Sequence, residues 1–303
     1  MLYSYKITSS SRSVAQAQKE LQTSLDKSYE LYMYLLKLII ELTDLQYRAI
    51  DDARHKYLPS KEDLNPNTRF IDNRLVELLR NNETLNQFFN DKLVSWNDEI
   101  IFKRIMLNRI LNSSIYQQYM AAEENDFESD CEVWKQLMKK VILVDDDLSE
   151  LLENLSVYWC GEDLDVMGQF VVKTIRRFQD GEASPIMPMY KDEEDSKFGE
   201  ILFTETARTL EQNNALIDMF VKEDNWDKNR IAMMDRLIMC TAITEMKNFI
   251  EIPIRVTLNE YIELAKIFST SSSGQFVNGI LYSVVEHLRA NGEIVKSINS
   301  IKY

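Results

Sequence analysis

The side chains that could carry chemistry are few and scattered. His55 and His287 are the only histidines, and Cys131, Cys160 and Cys240 stand far apart, without metal-ligand spacing. Two imidazoles so distant in sequence give no basis for a histidine metal site or a nucleophile–base triad. An odd number of scattered cysteines suits a reducing cytoplasm. Carboxylates are abundant, 49 Asp and Glu, but they fall mainly on what read as solvated helix faces, as in Asp145-Asp146-Asp147. No Gly-rich phosphate loop, metal cluster or activated nucleophile is visible, so the expectation is a protein that is not an enzyme and takes no cofactor.

With catalysis set aside, the residues left to explain are those at helix starts. Thr257-Leu258-Asn259-Glu260 has the form of a capping box, in which the threonine oxygen takes the Glu260 amide and the glutamate reaches back. Val256 and Tyr261 stand where a hydrophobic staple would form. Ser272-Ser273-Gly274-Gln275, inside the run Ser269 to Gly274, is a second candidate box with Ser272 at the cap. Gly279 lies in the following helical pattern, where it costs about 1 kcal/mol relative to alanine, so a closely packed neighbour is expected there.

These groups must be positioned by helices. Only 7 Gly and 5 Pro occur in 303 residues, which argues against a sandwich or barrel and for long helices. The apolar spacing predicts one helix over residues 13 to 57, a second helical block from about 71 to 120 and a third from about 132 to 179. Residues 180 to 196 form the clearest boundary, with Gly, two Pro and then an acidic run. Residues 158 to 176 and 225 to 243 align without gaps, a candidate internal repeat that pairs Leu237 with Phe170 and Thr241 with Thr174. No stretch approaches the roughly 18 apolar residues of a membrane span. The net charge of −14 repels phosphate overall, so any nucleic-acid contact needs a local basic group or a basic partner.

From Pro253 onward the sequence resembles the C-terminal signature of the bacterial NusB family. The match runs through Pro253, Arg255, Leu258-Asn259-Glu260, Glu263-Leu264-Ala265-Lys266, Phe268 and Phe276-Val277-Asn278-Gly279-Ile280-Leu281, and the resemblance extends over about residues 195 to 292. Leu2-Tyr3-Ser4-Tyr5 resembles the end of the family's first helix. The basic stretch that precedes that pair in the family is absent, and the expectation is a start codon upstream of Met1. The resemblance implies an all-α fold, a NusB-like helical bundle of two packed small bundles, in a long form. Residues 1–19 would be the remnant of the first helix, 20–190 a helical insertion, and 191–303 the antitermination domain.

It further implies a cytoplasmic transcription antitermination factor. Such a factor binds boxA-type ribosomal RNA leader RNA together with a small-subunit ribosomal protein (NusE), within the RNA polymerase antitermination complex, and has no membrane association. The alternative is a helical scaffold in ribosome biogenesis that does not touch RNA. By this resemblance Tyr3, Arg255, Ser272 and Gln275 would contact RNA, and Tyr3, Asp235 and Ser272 the protein partner. Phe268 and Phe276 read as core, and Asn259, Glu260 and Asn278 as caps or helix-contact groups. Residues 190–303 hold 13 Lys and Arg against 18 Asp and Glu, so RNA binding by the chain alone is expected to be weak.

Overall fold

The structure is a computed structural model that describes residues 1–8, 12–90, 95–221, 231–270 and 273–294. The described residues are helical, with no strand among them. They divide into two units, one of residues 1–23 with 190–303 and one of residues 24–189.

The long helix expected from residue 13 is a single element, α2 (Val14–His55), after a short α1 (Leu2–Thr8). Its start is a reciprocal capping box: the Gln16 amide donates to Ser13 Oγ at 3.2 Å, and the Ser13 amide donates to Gln16 Oε1 at 2.9 Å. Further along, Leu31 to Leu36, Leu38 to Ile40 and Leu42 are buried on every side of the helix. That all-round apolar character fits a helix enclosed by others.

The enclosing helices of this second unit are shorter than the periodicity suggests. The block from 71 to 120 is cut into α4 (Arg74–Arg80), α5 (Glu83–Asn90), α6 (Ile100–Asn112) and α7 (Ser114–Ala121), after a one-turn α3 (Lys61–Leu64). Capping side chains make the cuts. Asn73 Oδ1 accepts the Val76 amide at 3.3 Å, Asn82 Oδ1 the Leu85 amide at 3.0 Å, and Ser113 Oγ the Tyr116 amide at 3.1 Å. The third block divides likewise into α8 (Phe127–Leu137), a π-helical turn (Met138–Ile142), α9 (Asp146–Leu155) and α10 (Gly161–Gln179). The Asp145-Asp146-Asp147 run opens α9: Asp145 caps the Leu148 amide, and Arg109 grips both Asp145 and Asp147. In α10, a Cβ added to Gly168 would meet the Leu143 side chain at 2.5 Å, so that leucine packs directly on the helix backbone there.

The core of this unit is aromatic. Trp96 stacks on Tyr34 with ring centroids 4.0 Å apart and donates Nε1–H to the Tyr34 carbonyl at 2.9 Å. A polar node ties three helices together. Asp130, 2% exposed on α8, accepts from Arg74 Nε at 2.6 Å, from the Arg74 amide at 3.2 Å and from the Tyr119 hydroxyl at 2.6 Å. Asn73 Nδ2 donates to Tyr119 Oη and to the Asp130 carbonyl.

The first unit is built on α11 (Glu193–Phe220), α12 (Met233–Asn248), α13 (Ile254–Phe268) and α14 (Ser273–Ala290), with α1 against α12. Ile217, Met239, Ala242, Ile243, Val277 and Leu281 are among the residues that fill its interior. Asn213 bridges α11 to α12, donating to the Cys240 carbonyl at 3.3 Å and to Thr244 Oγ1 at 3.1 Å.

The repeat suggested by residues 158 to 176 and 225 to 243 does not carry into packing. Phe170 is 39% exposed where Leu237 is buried, and Thr174 is buried where Thr241 is half-exposed. The shared pattern is that of two amphipathic helices facing different neighbours.

The three cysteines are free. Burial pushes the Cys131 and Cys240 thiols up to about 12. Cys160 is exposed, yet partial burial, followed by the Asp163 carboxylate that accepts its thiol proton, raises its thiol to about 11. Since the thiolate is the nucleophile, the folded protein at neutral pH is expected to take up iodoacetamide slowly, and first at Cys160. Peptide mass mapping reads the order directly; early labelling at Cys131 or Cys240 would contradict the packing.

Candidate nucleic-acid and partner interface

The candidate residues gather at helix starts in the first unit. Helix α13 begins a full turn earlier than its expected capping box. Pro253 is the N-cap at φ −61° and ψ 139°, Ile254 is fully buried just inside, and the Thr257 amide already donates to the Pro253 carbonyl at 3.2 Å. Proline suits this place because its ring fixes φ near the helical value. Thr257 is therefore an interior residue, fully buried with Oγ1 unpaired, and Glu260 is exposed. The staple is absent as well, since Val256 is 44% exposed while Tyr261 is buried. Tyr261 instead donates its hydroxyl to Glu245 Oε2 on α12 at 2.8 Å, and both side chains are buried.

The α13–α14 junction is held from beneath by Asp235. This residue lies in the first turn of α12 and is 6% exposed. Its Oδ2 accepts from the Ser273 hydroxyl at 3.1 Å, while Oδ1 is buried without a partner. Ser273, the first residue of α14, lies 2.8 Å from Thr270 Oγ1 and 2.9 Å from Ser269 Oγ, and accepts the Thr270 amide at 3.2 Å. A serine hydroxyl has one proton. With a carboxylate as the acceptor, that proton points to Asp235, and the neighbouring hydroxyls turn to suit. The carboxylate also lies at the start of two helices, where the backbone dipole favours negative charge. Asp235 thus occupies a buried position, unlike a carboxylate on an open helix face.

The other candidate residues are displayed rather than enclosed. Tyr3 is 41% exposed on α1, two residues from Tyr5, whose ring packs edge-on against Phe203 at 5.7 Å. Arg255 is exposed at the start of α13 and has no ion pair among the described residues. Lys266, on the same helix, is engaged with Glu263 at 2.5 Å. Gln275 is exposed in the first turn of α14. Ser272 lies outside the described residues, so the second capping box cannot be traced; its neighbour Ser273 is the hydroxyl that the sequence reading passed over.

Arg255 and Gln275 are not brought together. A Cβ on Gly274 would meet Lys266 Cγ at 2.9 Å, which puts the start of α14 beside the far end of α13. Eleven residues of helix separate Arg255 from Lys266, about 16 Å along the axis. The same contact corrects the expectation for Gly279, which is exposed with nothing within 4 Å of an added Cβ. The tight approach is at Gly274. Two further corrections concern aromatic burial and caps. Phe268 is 54% exposed and only Phe276 packs, half-buried, against the core, while Asn259 and Asn278 are exposed rather than capping.

Such geometry defines an all-α bundle with surface groups set at helix starts. Among the described residues no three His, Cys, Asp or Glu side chains cluster as a metal site, and no helix is long and apolar enough to cross a membrane. Comparison with known proteins gives the class its family. The NusB family model matches residues 163–286, beginning in the first turn of α10 and so reaching further back than the resemblance from residue 195. A transcription antitermination protein NusB of Salinibacter ruber is 38% identical over 111 residues, covering 37% of this chain and 68% of the relative. That of Bacillus pumilus is 38% identical over 100 residues, covering 33% and 73%. One of Chloroherpeton thalassium is 41% identical over 88 residues, covering 28% and 42%. No solved structure matches the chain significantly. The chain belongs to the NusB family of transcription antitermination proteins, and it is not an enzyme.

Proposed function

We propose that this chain binds boxA-type leader RNA jointly with a small-subunit ribosomal protein, NusE, as part of the RNA polymerase antitermination complex in the cytoplasm. Family membership is the observation that carries the reading. RNA is contacted by Arg255, as an unpaired guanidinium on phosphate, by Gln275 and Ser272 through neutral hydrogen bonds, and by Tyr3 through stacking. On the partner side are Tyr3 and Ser272. Asp235 serves that side from within, since its buried carboxylate holds Ser273, the first residue of α14. A basic partner is also what the charge of −14 calls for, because the chain by itself repels the RNA backbone.

Charge reversal of Arg255 tests the RNA side. With the ribosomal protein present, Arg255→Glu is expected to weaken boxA RNA binding by about tenfold and to reduce the salt-dependence slope by about one. Binding of the ribosomal protein itself is expected to stay unchanged. RNA affinity and salt slope equal to those of the parent chain would remove Arg255 from the interface.

A further inference from the structure

The second unit carries a cleft that the antitermination reading leaves unused. It lies between the C-terminal part of α2 and helix α6 and encloses about 360 Å³. The two helices are pinned at one point, where Lys103 Nζ meets Glu41 Oε2 at 2.9 Å with both side chains largely buried. Beyond that pin, each wall is a single helical stripe. Leu45 stands three and four residues before Arg48 and Ala49, and these four and three before Asp52, on α2; Ile100, Arg104, Leu107, Asn108 and Leu111 recur in the same way on α6. Stripes of this length present two to three turns, about 10 to 16 Å of wall.

The chemistry of the walls is specific. The aliphatic part of the lining is Leu45, Leu107 and Leu111, buried or half-buried, with the exposed Ala49 beside them. On the rim stand Arg48 and Arg104, both exposed and neither with an ion pair among the described residues. Elsewhere in this unit Arg69, Arg74, Arg80 and Arg109 each hold a carbonyl or carboxylate, while Arg54 and Arg176 are exposed and have no ion pair among the described residues. Here two open guanidiniums stand on facing walls of one cleft in a chain of net charge −14, and among the described residues Asp52 is the one carboxylate that lines it. Ile101 and Ile105, next to Arg104 on α6, extend the apolar surface at 73% and 43% exposure. Among the described residues no lining side chain is aromatic, so a base would find no ring there to stack on.

We propose that this cleft docks an amphipathic helix of a partner protein, apolar along one side and acidic along its flanks. A third helix would complete the two stripes by ridge-into-groove packing, and its carboxylates would meet Arg48 and Arg104. The guanidiniums select the charge of the flank, and the aliphatic lining supplies burial.

The test uses the full chain and two labelled synthetic peptides. Both are alanine-rich helices with leucines on one face; one has glutamates flanking the leucines, its twin has lysines. Fluorescence anisotropy is expected to show saturable binding of the acidic peptide and at least roughly tenfold weaker binding of the twin. Arg48→Glu and Arg104→Glu should each weaken the acidic peptide by about tenfold, with circular dichroism confirming an intact fold. Ala49→Trp, which fills the cleft without changing charge, should abolish binding. Equal binding of the two peptides, no binding of the acidic one, or indifference to all three substitutions would overturn the proposal. So would capture of a single-stranded RNA oligonucleotide that is lost with Arg48→Glu and Arg104→Glu, which would assign the arginines to phosphate instead.

Discussion

Asp130→Ala is expected to destabilise residues 24–189 by about 3 kcal/mol, the largest effect of any single polar substitution in that unit. Three donors converge on this 2%-exposed carboxylate: Arg74 Nε, the Arg74 amide and the Tyr119 hydroxyl. The hydrogen bond to Asp130 holds the Arg74 guanidinium above its ordinary pKa. Removing the carboxylate leaves the Tyr119 hydroxyl proton with only a weak alternative acceptor at 3.4 Å, the Arg69 carbonyl, although Asn73 still donates to its oxygen. The Arg74 side chain is 42% exposed and can turn to water, which keeps the loss below the upper limit for a buried ion pair. Because Asp130 joins α4, α7 and α8, the damage should be shared among them. Native-state hydrogen exchange is expected to rise in all three helices, and the urea midpoint to fall. A loss below 1 kcal/mol would show that the node is not the tie it looks to be.

Tyr261→Phe is expected to cost about 2 to 3 kcal/mol in the other unit. The substitution preserves ring packing and removes one hydroxyl, leaving Glu245 buried without the donor it has at 2.8 Å. It also has a pH signature. Burial, and then the Glu245 carboxylate, push the Tyr261 phenol well above its ordinary pKa. A group whose pKa is raised by folding contributes stability that is complete below its unfolded value, near 10 for tyrosine, and declines as pH rises beyond it. The parent protein should therefore lose stability above about pH 10, and the variant should lose less over the same range. The residual alkaline slope belongs to tyrosines such as Tyr29 and Tyr119, which burial raises to about 12. Urea titrations at pH 8 and above pH 10 separate the two effects. Equal slopes in parent and variant would exclude Tyr261 as the source.

How far these features could be read from sequence depends on the range of the interactions behind them. Helix α2 was legible because nothing between Val14 and His55 breaks a helix. Its neighbours were not, because Asn82 and Ser113 start new helices by accepting an amide three residues on, and apolar periodicity runs past both. The start of α13 was misplaced by one turn. A Thr-x-x-Glu pattern competes there with Pro253 and the buried Ile254, and burial of Ile254 favours the earlier start.

The C-terminal block identified the family because many fixed positions fall in one short window, yet the same window did not disclose burial. Phe268 looks like core and is exposed. Asp235 looks like a surface carboxylate but is buried, and its partner Ser273 is 38 residues away in the chain, beyond any local pattern. The Arg48 and Arg104 cleft had no sequence signal, since each arginine alone is an ordinary helix-surface residue.

The central claim is joint recognition of RNA, and the most direct test is boxA RNA binding by this chain with and without the ribosomal protein, followed across a salt series. The account expects weak, steeply salt-dependent binding by the chain alone and at least roughly tenfold tighter binding once the partner is added. Tight, salt-insensitive binding by the lone chain, or no gain from the partner, would contradict it.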